Sequence, residues 1–301
     1  MIKSCRGIIG GGTVSASHAD PATTIEFLTE SGEIVSSTLC LHTPRRGAVT
    51  VKLGNNAYVI CGTGAESEDL SSIERFDCST LTIEEGRRWE FPCALTCACS
   101  CQLDSGSMVM GGYKAVNQDC LASIYMVQGE EFDISVRAAG QLLIPRKNAT
   151  AETLIDGSVI VVGGWDGRST LRQTELVNVR EDGKFRGSLS RPLLEPRECV
   201  SSTSVENCVL VFGGFDGFGV TDSAEMLDVR TKTWQMIPRF PGAKRECTSC
   251  VQLSSTRFAV IGGWDGYHSL DEVMIYDQTA AKWEKTRKMT EKRNRPFTIS
   301  L

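Results

Sequence analysis

Arginine and large aromatic residues recur at matched positions in the second half of the chain. Arg146, Arg197 and Arg245 each precede a Gly-Gly pair by 16 or 17 residues, and an aromatic residue directly follows each pair. Guanidinium groups form charge-assisted hydrogen bonds with carboxylates. Arginine and large aromatic residues also dominate the energetically important positions of protein interfaces. The pattern therefore favours recognition of another molecule over catalysis.

Related positions elsewhere complete a candidate set for binding a partner. The arginines precede predicted strands and are Arg46, Arg146, Arg197, Arg245 and Arg293. The aromatic residues directly follow a glycine pair and are Tyr113, Trp165, Phe215 and Trp264. Two alternatives stay open, because a repeated arginine can brace neighbouring repeats through backbone carbonyls and a repeated aromatic can simply cover a loop. Glu198 and Glu246 directly follow two of the arginines and would neutralise part of such a surface.

Three cysteines also share a phase. Cys97, Cys199 and Cys247 lie 14, 14 and 15 residues before their glycine pairs, which predicts one equivalent position in three repeats. A thiol beside arginine can have a lowered pKa and act as a redox or electrophile sensor. The alternative is that cysteine serves here as a small hydrophobic residue.

No metal or cofactor is expected from the sequence. Cys97, Cys99 and Cys101 alternate along a predicted strand, and thiolates on one straight strand spread too far apart to converge on one zinc ion. The chain has only three histidines. We find no G-x-S-x-G, H-E-x-x-H or phosphate-binding glycine loop in it.

The elements that position these residues are repeats of about fifty residues. The first glycines of successive pairs are Gly11, Gly62, Gly111, Gly163, Gly213 and Gly262, where Thr63 replaces the second glycine of one pair. The sequence of each unit predicts four strands. The first is rich in small residues, and the second is an apolar run buried on both faces. The third ends in a hydrophobic residue followed by Asp or Asn that caps the next turn. The fourth carries Trp89, Trp234 or Trp283, whose ring is expected to approach the glycine pair of an adjacent strand.

The two ends of the chain complete one another. Residues 7–12 resemble the second strand of later units without a first strand ahead of them, and residues 295–301 resemble a first strand with no unit after it. Pairing of the last strand with the first unit would close a ring and remove exposed sheet edges.

Composition limits the classes of function. The net charge of −5 argues against a nucleic-acid partner, which requires a concentrated basic surface. The apolar runs have the length of strands, far below the ~20 residues of a membrane span, and we find no secretory signal at the N-terminus. Thirteen cysteines, an odd number, predict reduced thiols in the cytoplasm or nucleus.

The motif G-G-[WF]-D-G, with an arginine ahead of it and a tryptophan about 21 residues after it, resembles the kelch repeat. The resemblance implies one all-β domain over residues 1–301, a six-bladed kelch-like β-propeller of four-stranded antiparallel blades. The C-terminal strand would close the ring by pairing with the N-terminal blade.

The resemblance also implies a function. Kelch propellers most often bind protein segments at one face, around the mouth of a central channel, and some are the substrate-recognition part of cullin-type ubiquitin ligase adaptors with BTB and BACK domains. In peptide-binding members, Arg and aromatic residues at matching positions contact an acidic peptide. We therefore expect a nonenzymatic module with a protein or peptide partner, and a binding face centred on units four to six. The alternative is a sugar-directed propeller enzyme such as a mutarotase.

Overall fold

The computed structural model describes residues 5–14, 21–84, 89–130, 133–285 and 288–301. These residues form 27 β-strands, and none of them lies in a helix. The described part of the chain therefore contains no helix of the length and apolarity that membrane crossing requires. The all-β prediction is confirmed.

The two ends of the chain share one four-stranded sheet. Its order is β27-β1-β2-β3, and its strands are Phe297–Ser300, Cys5–Gly10, Thr24–Thr29 and Ile34–Cys40. The last strand pairs antiparallel with the first, from Gly7 opposite Ser300 to Gly10 opposite Phe297. The Phe297 ring lies over Gly10, where a Cβ atom would come within 2.5 Å of it. The predicted pairing of the C-terminal strand with the N-terminal unit is confirmed.

The next sheet contains five strands. Its strands are β4 Val49–Leu53, β5 Asn56–Ile60, β6 Ser72–Asp77, β7 Thr82–Ile83 and β8 Trp89–Glu90. Both short strands pair with β6. The fourth-strand position is therefore shared by two pieces of chain.

Residues 99–189 form an eight-stranded sheet of two antiparallel halves. The first half contains β9 Cys99–Leu103, β10 Gly106–Met110, β13 Ser123–Glu130 and β14 Asp133–Gln141. The second half contains β15 Thr150–Thr153, β16 Val159–Val162, β17 Thr174–Val179 and β18 Phe185–Leu189. Only a short parallel pairing of β14 with β18 joins the halves. A separate hairpin of β11 Tyr113–Lys114 and β12 Asp119–Cys120 lies in the loop after β10.

Two regular four-stranded sheets complete the chain. One contains β19 Ser201–Val205, β20 Cys208–Phe212, β21 Ala224–Asp228 and β22 Thr233–Ile237. The other contains β23 Ser249–Gln252, β24 Arg257–Ile261, β25 Val273–Asp277 and β26 Lys282–Lys285. Asp228 accepts hydrogen bonds from the amides of Arg230 and Thr231, as predicted for the residue that ends a third strand.

The first strands of the units are neighbours in a closed cycle. Contacts run in the order β4, β9, β15, β19, β23, β27 and back to β4. The apolar second strands are buried along their length, for example Val159–Val162. Each hydrophobic cluster contains residues from neighbouring units; Ile9 and Leu28, for instance, pack with Val251 and Ile261. The antiparallel units therefore have a propeller-like arrangement.

The group that packs closest to a glycine pair differs from the predicted tryptophan ring. Gly262 has φ +60, and a Cβ atom there would lie 2.6 Å from the carbonyl oxygen of Arg293 in the next unit. It is thus a backbone carbonyl, and not a tryptophan ring, that comes closest to this glycine. Left-handed φ and the absence of a side chain are both required at this position.

Trp234 packs in a hydrophobic cluster with Leu193, Val209 and Leu227. Its Nε1 donates a hydrogen bond of 3.0 Å to the carbonyl oxygen of Arg191. We expect Trp234→Phe to lower the free energy of unfolding by about 1–3 kcal/mol, because that acceptor loses its donor and the smaller ring leaves space. Urea denaturation measures the change. The control Phe218→Ala alters a ring that is 97% exposed and should shift stability by less than about 0.5 kcal/mol; equal effects of the two variants would contradict this packing role.

Candidate partner-binding face

Four of the predicted binding arginines have fully buried side chains. Arg146, Arg197, Arg245 and Arg293 are 0% exposed, as is Arg45. Arg146 donates to the carbonyl oxygen of Gly163 at 2.6 Å and forms an ion pair of 2.6 Å with Glu175, which is equally buried. A side chain without exposed surface cannot contact a partner in this structure, so the prediction of these four arginines as charge anchors is wrong. Arg146, Arg197 and Arg293 instead donate to a glycine carbonyl oxygen at the end of the second strand of their own unit, whereas Arg245 donates to Glu272.

Each of the five buried arginines forms an ion pair with a glutamate. The ion-pair partners are Glu74 for Arg45, Glu175 for Arg146, Glu225 for Arg197, Glu272 for Arg245 and Glu26 for Arg293. Our sequence reasoning missed these glutamates. Their signal was a Glu at 12 residues after the first glycine in three of the units, at Glu74, Glu175 and Glu225.

Arg46 differs from the other predicted arginines. Arg45 takes the buried position of its unit, so that Arg46 lies one residue further along and is partly exposed. Because two arginines are adjacent here, the sequence did not show which of them takes the buried position. Arg46 therefore remains the one arginine of the predicted set that lies at a surface.

The residue after each buried position pairs with the residue after the glycine pair. In the second unit Cys61 and Gly62, with φ of 59 and 101, take the two glycine positions, so Thr63 follows the pair and the prediction that it replaces the second glycine is wrong. These bridges join Arg46 to Thr63, Thr96 to Tyr113, Lys147 to Trp165, Glu198 to Phe215, Glu246 to Trp264 and Asn294 to Thr13. We call Arg46, Thr96, Lys147, Glu198, Glu246 and Asn294 the rim. All four predicted aromatics lie beside the rim and are partly exposed.

The residue after each rim position forms an inner ring. The inner ring consists of Gly47, Cys97, Asn148, Cys199, Cys247 and Arg295, all with φ between 54 and 59. Backbone hydrogen bonds run from Cys97 N to Gly47 O, Asn148 N to Cys97 O, Cys199 N to Asn148 O, Cys247 N to Cys199 O and Arg295 N to Cys247 O. The predicted equivalence of the three cysteines is confirmed. Their left-handed φ places Cys199 and Cys247 outside the first strands, which begin two residues later at Ser201 and Ser249.

Arg295 spans the inner ring. Its Nη1 lies 2.8 Å from Cys97 Sγ and 3.0 Å from Asn148 Oδ1, and its Nη2 lies 3.4 Å from Cys199 Sγ. These contacts reach three other members of the ring. The guanidinium group therefore lies across the inner ring.

A cavity of about 290 Å³ lies against one arc of the rim. It is lined by Arg46, Tyr113, Lys147 and Arg295, which we call the cationic pocket, together with smaller residues such as Thr96. Lys147 Nζ lies 4.0 Å from the centroid of the Tyr113 ring and 4.7 Å from that of Trp165. Three cations, one carboxylate (Asp69) and an aromatic ring thus surround one space.

Arg46 lies in an electrostatically unfavourable environment. Burial and the nearby positive charge of Arg295 lower the pKa of Arg46, since both disfavour its charged form. Its Nε is buried and finds no hydrogen-bond acceptor among the described residues. An anionic group bound in the cationic pocket would relieve both conditions.

The opposite arc of the rim is acidic. Glu198 accepts hydrogen bonds from Asn148 Nδ2 at 2.8 Å and Thr170 Oγ1 at 3.2 Å. Burial raises the pKa of Glu246. The positive charges therefore come from Arg46 in unit two, Lys147 in unit four and Arg295 just before the closing strand. A binding face centred on units four to six stays a prediction.

The thiol prediction fails for Cys199. Its pKa is raised well above the ordinary value, first by its hydrogen bond with Cys247 and then by burial, and the nearby Arg295 only partly opposes this. The hypothesis of a redox or electrophile sensor required a lowered pKa, so the raised pKa of Cys199 argues against it.

Comparison with known protein families identifies the fold. Residues 98–298, about two thirds of the chain, match the family model described as the KLHDC2/KLHL20/DRC7 Kelch-repeats domain. The chain belongs to the Kelch-repeat family. A search of curated proteins gives no match.

Membership of the Kelch family agrees with the geometry of the rim and the inner ring, which together we call the mouth. Kelch propellers are generally protein-interaction scaffolds rather than enzymes. In this Kelch domain, Arg46 and Tyr113 line the cationic pocket and Trp165 lies against it through Lys147, whereas Phe215 and Trp264 lie beside the acidic arc.

Proposed function

We propose that residues 1–301 form one six-bladed Kelch propeller whose channel mouth binds an acidic segment of a protein partner. The cyclic order of six first strands supports the blade number. The eight-stranded sheet counts as two blades in this proposal, because only two residue pairs, Gly140 with Phe185 and Gln141 with Arg186, join its halves.

The observation that carries the proposal is the cationic pocket. Arg46, Lys147 and Arg295 converge on one cavity, and Arg46 has a buried donor without an acceptor among the described residues. Asp or Glu side chains of a partner would accept charge-assisted hydrogen bonds there, while Tyr113 supplies aromatic contact area. The acidic arc, with Glu198 and Glu246, would orient the segment by repelling its carboxylates.

The proposal extends to the setting of the domain. Substrate recognition for a cullin-type ubiquitin ligase, with BTB and BACK domains elsewhere in the assembly, would use the mouth in this way. No disulfide joins the cysteines of the described residues. Reduced thiols support a place in the cytoplasm or nucleus.

A sugar-directed enzyme has less support than a binding module. Among the described residues that line the cationic pocket, Asp69 is the sole carboxylate. Its Oδ2 accepts a hydrogen bond of 2.6 Å from the amide of Ala115, so it holds a loop in place. Mutarotation requires an acid and a base that converge on a sugar.

Selection from a displayed random peptide library tests the binding proposal. We expect enriched peptides to contain clusters of Asp and Glu, and their affinity to fall with increasing salt. The double variant Arg46→Glu, Lys147→Glu should weaken binding at least about 100-fold, because each charge-assisted hydrogen bond contributes about 1.5–3 kcal/mol.

The matched control has the same change of charge on another part of the molecule. Arg180 and Arg230 are exposed in the turns between third and fourth strands, and Arg180→Glu, Arg230→Glu should leave peptide affinity within about threefold. Thermal melts confirm that both variants fold. Enrichment of neutral or basic peptides, or equal loss in both variants, would refute the proposal.

A further inference from the structure

Two thiols and one carboxylate converge on the acidic side of the mouth. The side-chain ligand atoms of Cys199, Glu246 and Cys247, which we call the thiol–carboxylate cluster, lie within 4.8 Å of one another. The two cysteines belong to the inner ring and the glutamate to the rim. Cys199 is 9% exposed and Cys247 7% exposed, and both line a cavity at the mouth.

The backbone fixes the two thiols side by side. Cys247 N donates a hydrogen bond of 2.6 Å to Cys199 O, and the two residues have nearly equal φ values of 55 and 54. Glu246 is held by its bridge to Trp264. The cluster is therefore built by two chain segments of neighbouring units, one with Cys199 and one with Glu246 and Cys247, and it does not depend on flexible surface side chains.

We propose that the thiol–carboxylate cluster binds a thiophilic divalent cation such as Zn²⁺. Thiolate and carboxylate ligands in one tetrahedral shell are typical of zinc, and the two sulfurs select against Mg²⁺ and Ca²⁺. Three protein ligands leave a fourth position for water from the mouth.

The charges around the cluster suit such an ion. Two thiolates and a carboxylate carry three negative charges, so that a divalent cation leaves one negative charge. The Arg295 guanidinium, whose Nη2 lies 3.4 Å from Cys199 Sγ, compensates it. Removal of the ion leaves protonated thiols, with the guanidinium facing the single charge of Glu246.

Proton release follows from this chemistry. Two S–H bonds break as two metal–sulfur bonds form, and both protons pass to solvent while the carboxylate donates a lone pair. Because both thiols must lose a proton to bind the ion, metal affinity should increase with pH. Glu198 and Arg295 are the other charged groups near Glu246.

The metal proposal can be tested apart from peptide binding, although Arg295 lines both cavities. Arg46 and Lys147 line only the cationic pocket, so Arg46→Glu, Lys147→Glu should bind metal as the parent does. A failure of one proposal therefore leaves the other intact.

Titration of the chain of residues 1–301 with Co²⁺ and Zn²⁺ tests the site. The protein is free of tags, stripped of metal and kept anaerobic with a phosphine reductant. We expect one ion per chain, a near-ultraviolet sulfur-to-Co²⁺ charge-transfer band, and proton release measured by calorimetry in buffers of different ionisation enthalpy. X-ray absorption of the Zn²⁺ form should show about two sulfurs at about 2.3 Å.

Conservative variants locate the ligands. Cys199→Ser, Cys247→Ser and Glu246→Gln should each lower Zn²⁺ affinity at least about tenfold, since even groups that only hydrogen-bond to the ligands of a metal contribute about 10–100-fold. Cys97→Ser is the matched control, because Cys97 shares the inner ring but lies outside the cluster, and it should retain the parent affinity.

Three results would overturn the proposal. They are a wild-type Co²⁺ spectrum without sulfur charge transfer, loss of binding in Cys97→Ser with retention in the cluster variants, and conversion of Cys199 and Cys247 to a disulfide with no metal uptake in the reduced protein. The wild-type spectrum decides the matter even where a variant fails to fold.

Discussion

Deleting residues 297–301 should lower the free energy of unfolding by about 5 kcal/mol or more and abolish the cooperative transition. The deletion removes β27, which pairs with β1 and contacts β23 and β4. Phe297 and Ile299 are each 4% exposed, and burial of such side chains contributes about 1.5–3 kcal/mol apiece. The loss of strand pairing exposes β1 as a sheet edge, which also promotes aggregation.

Calorimetry and urea denaturation measure the effect of the deletion. Ser300→Ala is the control, since Ser300 lies on the same strand with an exposed side chain, and it should change stability by less than about 0.5 kcal/mol. Phe297→Ala should give an intermediate loss of about 3–5 kcal/mol. A deleted chain that melts with the parent would show that strand pairing between the ends does not hold the ring.

Replacing Arg146 by methionine should lower the free energy of unfolding by about 3–5 kcal/mol. Glu175 would lose its ion-pair partner at a site with 0% exposure, and uncompensated buried charges are strongly destabilising. The carbonyl oxygens of Gly163 and Gln173 would lose their donors as well.

The double variant Arg146→Met, Glu175→Gln separates the charge effect from the lost packing. It should recover part of the stability, because no buried charge remains. Arg168→Met in the exposed loop of the same unit is the control. If Arg146→Met kept the parent stability but lost peptide binding, Arg146 would be a partner contact after all.

Local patterns made the strands and the ring closure predictable. Apolar runs that end at glycine pairs specify buried second strands, and the incomplete first and last units indicate how the ends pair. Both features depend on neighbouring residues and on a repeat of fixed length. The structure therefore agrees with the sequence on the all-β class and on the pairing of β27 with β1.

The binding face was predictable only in part, because exposure depends on packing between units. Arginine at a repeated position is equally consistent with a surface anchor and with a buried brace, and only the buried Glu175 and Glu225 partners decide between them. The shift between Arg45 and Arg46 was invisible for the same reason.

Contacts between distant units were beyond the reach of sequence patterns. Arg295 contacts Cys97 across the inner ring, although the two residues are 198 positions apart in the sequence. Lys147 was not selected, because its role follows from its position between Tyr113 and Trp165 in space. The split of the rim into a basic and an acidic arc likewise follows from ring closure.

Photo-crosslinking of a selected acidic peptide tests the central claim most directly. The peptide carries a photoreactive group beside its acidic cluster, and digestion with mass spectrometry maps the attachment site on the chain. We predict attachment to the residues around Tyr113, Ala115 and Lys147, with loss of the adduct in Arg46→Glu, Lys147→Glu. Attachment to the outer strands, for example around the exposed Met236 of β22, would contradict binding at the mouth.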